Sequence, residues 1–371
     1  MTRKTMLMLR NLLLVAVLVA SLFHEGVAGA ADADPVVLTF ATVGDSRHDP
    51  EAADITDQDR IWLQNSKVLT RMIREMQAVK PNLLFFNGDM IMGYSTNAHI
   101  LNRQYAFWRG AVATLFETGT YVLPVPGNHE SQEAFTDKNG KTVKLARQPN
   151  ESAWRVNMGD IVIDTKRWRE ILGGPIEAWN PANTPKIGGD DMIVSDQSQM
   201  TYSFDFRSLH FVVINTDAVG NDAKAPLAWL ADDLARAKNR GVKRIFIFGH
   251  RPAYTYKYAM NTTHVGLDIF PDIQKGFWDL VEAYDAAYFC GHEHIFNAMQ
   301  PRAATGGKSW QILAGSGGSP FDVKPGETSN PLDRTYAWVL VSVHASGKAR
   351  AEVFGFDDSF GPTRKVMEIA P

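Results

Sequence analysis

The sequence predicts an α/β fold, and three observations predict it. Apolar runs of strand length alternate with segments of helical periodicity up to Pro126. A second series of apolar runs opens with two joined by a hairpin-length connection, Arg207-Ser208-Leu209. Run after run ends in a glycine beside a residue able to hold a metal, which is how open α/β sheets present ligands beyond their strand ends. With 45% hydrophobic residues in a chain of 371, a large core can be built and disorder is excluded as the general state. A formal net charge of -3 argues against a protein made to coat nucleic acid.

In chain order, Val36 to Val43 is a strand feeding the polar turn Gly44-Asp45-Ser46-Arg47-His48. Trp62, Asn65, Val68, Leu69, Met72, Ile73, Met76 and Val79 recur at helical intervals, and Pro81 stops that helix. Leu83 to Phe86 is a second strand, ending in Asn87-Gly88-Asp89, and Ile100 to Phe116 returns to helical spacing. Thr120 to Pro126 is a third strand before Gly127-Asn128-His129-Glu130. Strands alternating with helices in this way pair in parallel through right-handed crossovers, which places all three polar turns on one sheet edge.

Periodicity then fades from Ser131 to about Met200, a stretch too long for an ordinary loop. It is expected to be a surface insertion at about 131–200 within a single domain, with Trp154, Trp168 and Trp179 packing it down or lining a cleft. Thr201 to Phe206 and His210 to Asn215 are strands of a second sheet, and Pro226 to Arg240 is a helix closed by Gly241. Val242 to Phe248 runs into Gly249-His250-Arg251-Pro252, and Ala286 to Cys290 into Gly291-His292-Glu293-His294. Ile269 to Tyr284 is partly helical, Trp310 to Ala314 is a strand, and Trp338 to Val343 with Ala349 to Phe356 form a closing hairpin.

The first 30 residues read as a secretory signal peptide: Arg3, Lys4 and Arg10 precede the apolar run Asn11 to Phe23, and Ala28-Gly29-Ala30 supplies small residues for cleavage. That run is too short to span a membrane. Cleavage would remove three basic residues and Glu25, shifting the net charge from -3 to -5, and no membrane span would remain. Cys290 is the one cysteine, so no intrachain disulfide forms, a pattern that fits the periplasm or a secreted protein relying on its core.

A lone Gly-Asp is ordinary turn chemistry, and a single histidine after a strand is usually structural. The pair His292 and His294 says more, because alternate residues of an extended segment face the same way. Taken together with Asp45, Asp89, Asn128 and His250, the set resembles the calcineurin-like metallophosphoesterase superfamily, whose signatures run Asp-x-His, Gly-Asp, Gly-Asn-His-Glu/Asp, a lone His, and Gly-His-x-His. Tyr202 to Phe206 and His210 to Thr216 further resemble its purple acid phosphatase branch.

The resemblance implies two packed mixed β-sheets flanked by α-helices, with two metal ions at the strand ends. It implies Asp89 as the bridging carboxylate, Asn128, His250 and His292 on one metal, and Asp45 and His294 on the other. His129 would protonate the leaving group, oriented by Glu130 or a nearby acid. Imidazole mixed with carboxylate suits Mn, Fe or Zn, and two such cations clamp a phosphate and generate hydroxide near neutral pH.

The chain departs from the pattern at Arg47, which stands where the superfamily has histidine and cannot ligate a metal. The purple branch's tyrosine is also displaced, with Met92 at its position and Tyr94 two residues further on, leaving water, Tyr94 or His48 to complete that metal. Arg47 is read instead as a substrate-binding residue, its fork matching phosphate oxygens. The expected function is a secreted or periplasmic metal-dependent phosphoesterase acting on a small phosphorylated substrate, monoesters favoured and no nucleic acid expected. A phosphodiesterase on the same core, or a phosphate-binding protein with a degenerate metal site, are the alternatives.

Overall fold

In the computed structural model the described residues are 34–47, 66–256 and 264–371. The segment read as a signal peptide, His48, and the expected helix start at Trp62 and Asn65 lie outside them.

β1 (Val36–Val43), α1 (Ser66–Val79), β2 (Leu83–Phe86), α2 (Ala98–Thr118) and β3 (Tyr121–Pro124) realise the predicted alternation. β1 pairs in parallel with β2, and β2 with β3. Asn97 caps α2 through its side chain and Gly119 closes it in the left-handed conformation, so the sequence marks both ends. The single turn α3 (Asn128–Ser131) follows β3.

Residues 131–200 carry regular structure that the fading periodicity does not announce. They hold the hairpin β4 (Gln132–Thr136) and β5 (Thr142–Ala146), then α4 (Gln148–Val162) and α5 (Thr165–Leu172). Trp154 and Trp168 are fully buried in two hydrophobic clusters, and Trp179 packs edge-on against Tyr202. The tryptophans pack the segment down. Asn150, which opens the Asn150-Glu151-Ser152 match to a glycosylation sequon, is buried, its amide donating to the carbonyls of Ser95 and Gln132, so the folded chain does not offer it for glycosylation.

The second sheet begins with the hairpin β6 (Tyr202–Phe206) and β7 (Leu209–Val213); the small ribbon β8 (Asp217–Ala218) and β9 (Asn221–Asp222) follows. Then come α6 (Leu227–Asn239), β10 (Arg244–Phe248), α7 (Pro271–Ala283), β11 (Ala286–Cys290), β12 (Phe296–Met299) and β13 (Gln311–Ala314). β14 (Tyr336–His344), β15 (Ala349–Phe356) and β16 (Arg364–Ile369) return to the first sheet, which is ordered β16-β15-β14-β1-β2-β3. The second is ordered β12-β13-β11-β10-β7-β6. The expected pair of mixed sheets is present. β12 and β16 carry no clear apolar alternation and escape a sequence reading, because each is an edge strand with most residues at least partly exposed.

Alternation along each strand divides the core. Leu83 and Phe85 face a central cluster between the sheets, whereas Leu84 and Phe86 face an outer one under α1 and α2. Phe246 and Phe248 likewise face inward while Ile245 and Ile247 pack under α6 and α7. The sheets meet through phenylalanines: Phe85 stacks on Phe248 with centroids 3.7 Å apart, and Phe40 sets its ring edge-on against Phe85, Phe211, Phe246, Phe248 and Phe289. Such pairs add about 0.5–1.5 kcal/mol each beyond area burial. They fix one sheet's strand ends against the other's.

Away from that edge, buried His210 sits between two carboxylates, Nδ1 2.6 Å from Asp205 and Nε2 2.9 Å from Asp233. Arg240 pairs with Asp205, and Ser203 and Asn183 donate to Asp233. Two acceptors require two protons on the ring. Burial alone would lower the His210 pKa, but the hydrogen bonds and charges of Asp205 and Asp233 outweigh it and raise the value. The stabilisation is therefore complete below about pH 6.5, the unfolded value, and is lost as pH rises through the raised folded one. His210→Gln is expected to cost about 3–5 kcal/mol in mildly acidic buffer and to abolish the decline of unfolding free energy on the alkaline side. Urea denaturation across that pH range, with equal slopes for both proteins, would refute this.

Candidate metal centre

Five strands deliver the polar turns to one cluster, β1, β2 and β3 running parallel in the first sheet and β10 and β11 parallel in the second. β1 runs into Asp45, β2 into Asp89, β3 through Val125 into Asn128 and His129, β10 into His250 and β11 into His292 and His294. The backbone turns sharply at three of these side chains: Asp45, Asp89 and His292 adopt φ of 59°, 53° and 75°, in the left-handed region. Non-glycine residues there cost about 1–3 kcal/mol each and cluster at functional sites. Gly127 must lack a side chain, since a Cβ would lie 2.4 Å from Asp89 Oδ1.

Glu130 holds the turns together. One carboxylate oxygen accepts from the N–H groups of Gly127 and Asp89, the other from those of Met90 and Ile91, all at 2.8–3.1 Å. Burial and the Asp89 charge push its pKa up to about 8, against the pull of these donors. Glu130 therefore does not orient His129, as the sequence suggests. That role falls to the Met92 carbonyl, 2.5 Å from His129 Nδ1.

Three imidazoles share one device. His129, His250 and His294 each direct Nδ1 at a backbone carbonyl, of Met92, Asn87 and Pro320 respectively. A carbonyl only accepts, so Nδ1 carries the proton and Nε2 turns a lone pair inward. His250 Nε2 then lies 2.8 Å from Asn128 Oδ1 and 3.2 Å from Asp89 Oδ1. The Asn128 amide nitrogen donates to the Tyr94 hydroxyl, which fixes its oxygen inward. His292 is mounted in the opposite sense, with Nδ1 2.8 Å from Asn128 Oδ1 and 3.1 Å from His250 Nε2, while Arg251 Nη1 faces its Nε2 at 3.1 Å.

Acceptors thus converge on acceptors, with only the His292 Nδ1 proton to separate them. The spacing of 2.8–3.2 Å matches neighbouring donors held at about 2.0–2.2 Å on one transition metal. Asn128, His250, His292 and Asp89 fit a cation taking that proton's place.

The other half is wider. Asp45, Asp89 and His294 offer buried ligand atoms within 4.8 Å of one another, enough to hold a metal. Here Arg47 intervenes, Nε 3.2 Å from Asp89 Oδ2 and Nη2 3.2 Å from His294 Nε2. Tyr94 does not complete this half. It lies on the Asn128 side, its ring centroid 3.8 Å from that of His129.

Electrostatics follow from this packing. Burial and the neighbouring Asp89 charge raise Asp45 well above the usual carboxylate range. Asp89 pays a burial cost too, but His129, His250, Arg47 and His292 outweigh it and hold Asp89 far below that range. Burial, followed by a nearby arginine charge, lowers His129, His292 and His294. Neutral imidazoles around an ionised carboxylate are a donor set in the state that metals require.

The structure brings together all eight residues singled out by sequence: Asp45, Arg47, Asp89, Asn128, His129, His250, His292 and His294. Sequence reasoning missed Arg251, which is buried, paired with Asp217 at 2.8 Å and placed against His292. Its position directly after His250 is the one available signal. Asp322, accepting from the His294 N–H at 2.8 Å, lies in a remote loop and gives none.

Comparisons with known proteins bear on the family and the fold. A sequence model of the family described as calcineurin-like phosphoesterase matches residues 48–296. A search of curated proteins finds no match. A purple acid phosphatase from yellow lupin seeds (Lupinus luteus) is similar in structure, at 12% identity and a TM-score of 0.56, over 90% of this chain. The chain spans about half, 53%, of that longer protein. A dimetal phosphatase from Danio rerio, 13% identical, matches over 91% of this chain and 99% of its own with a TM-score of 0.46.

Glu130→Gln is expected to unseat both turns, because an amide nitrogen would confront two N–H donors. Each buried group left unsatisfied costs about 1–3 kcal/mol. Chemical denaturation of the two proteins checks this, and an unchanged midpoint would show that the four hydrogen bonds contribute nothing.

Proposed function

Since the chain belongs to the calcineurin-like phosphoesterase family, we propose that it is a metal-dependent phosphoesterase whose active centre is the cluster around Asp89. One observation carries this reading: lone pairs of His250, Asn128 and Asp89, from three strand ends of two sheets, meet at about 3 Å. The candidate ligands are Asp89, Asn128, His250 and His292 in the compact half, with Asp45 and Asp89 and His294 in the wider one. Two cations, of Mn, Fe or Zn type, are the full complement. When bound they would acidify a shared water and neutralise the phosphate.

The remaining roles belong to side chains. The Arg47 guanidinium borders the phosphate position and adds positive charge, which favours the dianion of a monoester over a diester. His129 is held by Met92 with Nε2 facing the centre, 3.6 Å from Asp89 Oδ2. An arriving phosphate dianion offsets the Arg47 repulsion and lets Nε2 carry the proton that the leaving oxygen needs. Small phosphorylated compounds are the proposed substrates, and nucleic acid is not. Export to the periplasm or medium is proposed from the basic and apolar N-terminal segment. Among the described residues no helix is long and apolar enough to cross a membrane.

Metal-reconstituted protein is expected to hydrolyse para-nitrophenyl phosphate faster than its bis-ester and to lose turnover to a chelator. Absence of turnover with Mn, Fe and Zn would instead favour a phosphate-binding protein. His129→Ala should reduce kcat by about 10²–10⁴-fold on an alkyl phosphate and much less on the nitrophenyl ester, whose leaving group needs no proton. Equal losses on both would remove His129 from proton transfer.

A further inference from the structure

The two halves of the centre are unequal, and Arg47 is the reason. Its guanidinium meets Asp89 Oδ2 and His294 Nε2, both at 3.2 Å. Because Pro320 takes the His294 Nδ1 proton, that Nε2 lone pair is the one a metal would use. The side chain is 16% exposed, and its backbone is pinned: Arg47 N–H donates to the Asp89 carbonyl, and the Ser319 hydroxyl donates to the Arg47 carbonyl. A guanidinium this enclosed requires anionic partners. Asp89 supplies the charge, its Oδ2 3.2 Å from Arg47 Nε.

We infer that Arg47 is the resident cation of the Asp45–His294 half, so that the chain holds one metal firmly at His250 and His292 and admits a second only by displacing the guanidinium. The inference rests on the phosphoesterase reading and says how that centre is loaded. The compact half has four convergent donors; its neighbouring guanidinium, Arg251, is paired with Asp217 and meets His292 at Nε2, whereas the converging atom of that ring is Nδ1. The wider half has three donors, two of them already within hydrogen-bond distance of Arg47, whose fixed positive charge bridges Asp89 and His294. A divalent cation added to it would leave the half with net positive charge. In the singly loaded state a phosphate spans the metal and the Arg47 fork, which matches two of its oxygens. This also gives Arg47 its substrate contact without requiring it to leave the site.

The test counts metal. Wild type, Arg47→His and Arg47→Ala are stripped, titrated with Mn(II), desalted and measured by elemental analysis and electron paramagnetic resonance. Wild type is expected to retain one Mn with an isolated-ion spectrum. Arg47→His should retain two with an exchange-coupled spectrum, and Arg47→Ala should bind the second more tightly than wild type. The second site in wild type should be weaker than the first by about 100-fold. Two coupled ions retained by wild type would overturn the inference and leave the phosphoesterase reading standing. So would a count of one in folded Arg47→His. No metal in any of the three proteins would overturn both. Should Arg47→His fail to fold, the wild-type count and spectrum decide alone.

Discussion

Asp89 is the charge on which the rest of the centre depends. It is buried, and an isolated buried carboxylate would take up a proton instead of remaining ionised. Its surroundings prevent this: Oδ1 accepts the His129 N–H and lies beside His250, and Oδ2 takes Arg47. Every strand end at the edge contributes to that compensation or to the backbone turn that makes it possible. Such an arrangement is stable only if no member can retreat. The Glu130 carboxylate enforces this by tying the Asp89 turn to the Gly127 turn across two neighbouring strands.

The interplay explains why the site lies where two sheets meet. Asp45, Asp89 and Asn128 come from the first sheet and His250, His292 and His294 from the second. Neither sheet alone brings the candidate ligands together. Their relative position is set by the phenylalanine layer, where Phe85 of β2 stacks on Phe248 of β10 directly beneath Asp89 and His250 in sequence. Gly291 allows the final approach, since a Cβ there would fall 2.2 Å from Asp45 Oδ2. Packing two strands below the surface thus controls distances at the edge.

What could be read from the chain was local. A strand that ends in Gly-Asp or Gly-His announces both its element and its candidate ligand within five residues, so Asp45, Asp89, Asn128, His250, His292 and His294 were all legible. The parallel order that gathers them follows from the same alternation. Partners far apart in sequence were not legible. Glu130 reaches N–H groups 39 to 41 residues away, and nothing in Asn-His-Glu says that its acid caps a neighbouring strand's turn instead of orienting His129. Tyr94 reads as a displaced ligand because the count from Asp89 is wrong by two. The backbone carries it, at φ 50°, to the opposite side of Asn128. The 131–200 segment misled for another reason: α4 buries Asn150 and Glu151 beside Trp154, Met158 and Ile161 and exposes Val156, so polarity does not follow burial along the helix and no clean apolar stripe appears.

A site assembled from both sheets is thermodynamically linked to their packing. Unfolding would scatter the converging acceptors, so any cation that binds them binds the folded chain alone. At a free concentration 1,000 times its dissociation constant such an ion adds about 4 kcal/mol to stability. That is comparable to the strain held at three left-handed residues, about 1–3 kcal/mol each. The chain has no disulfide with which to meet that cost, since Cys290 is its one cysteine. The burden falls on the aromatic layer, on Glu130 and, in the wider half, on Arg47. A guanidinium supplies positive charge from the moment of folding, with no dependence on supply from solution. On the loading proposed for this centre, Arg47 at a ligand's position exchanges coordination for permanence and leaves one half of the centre neutralised by the protein itself.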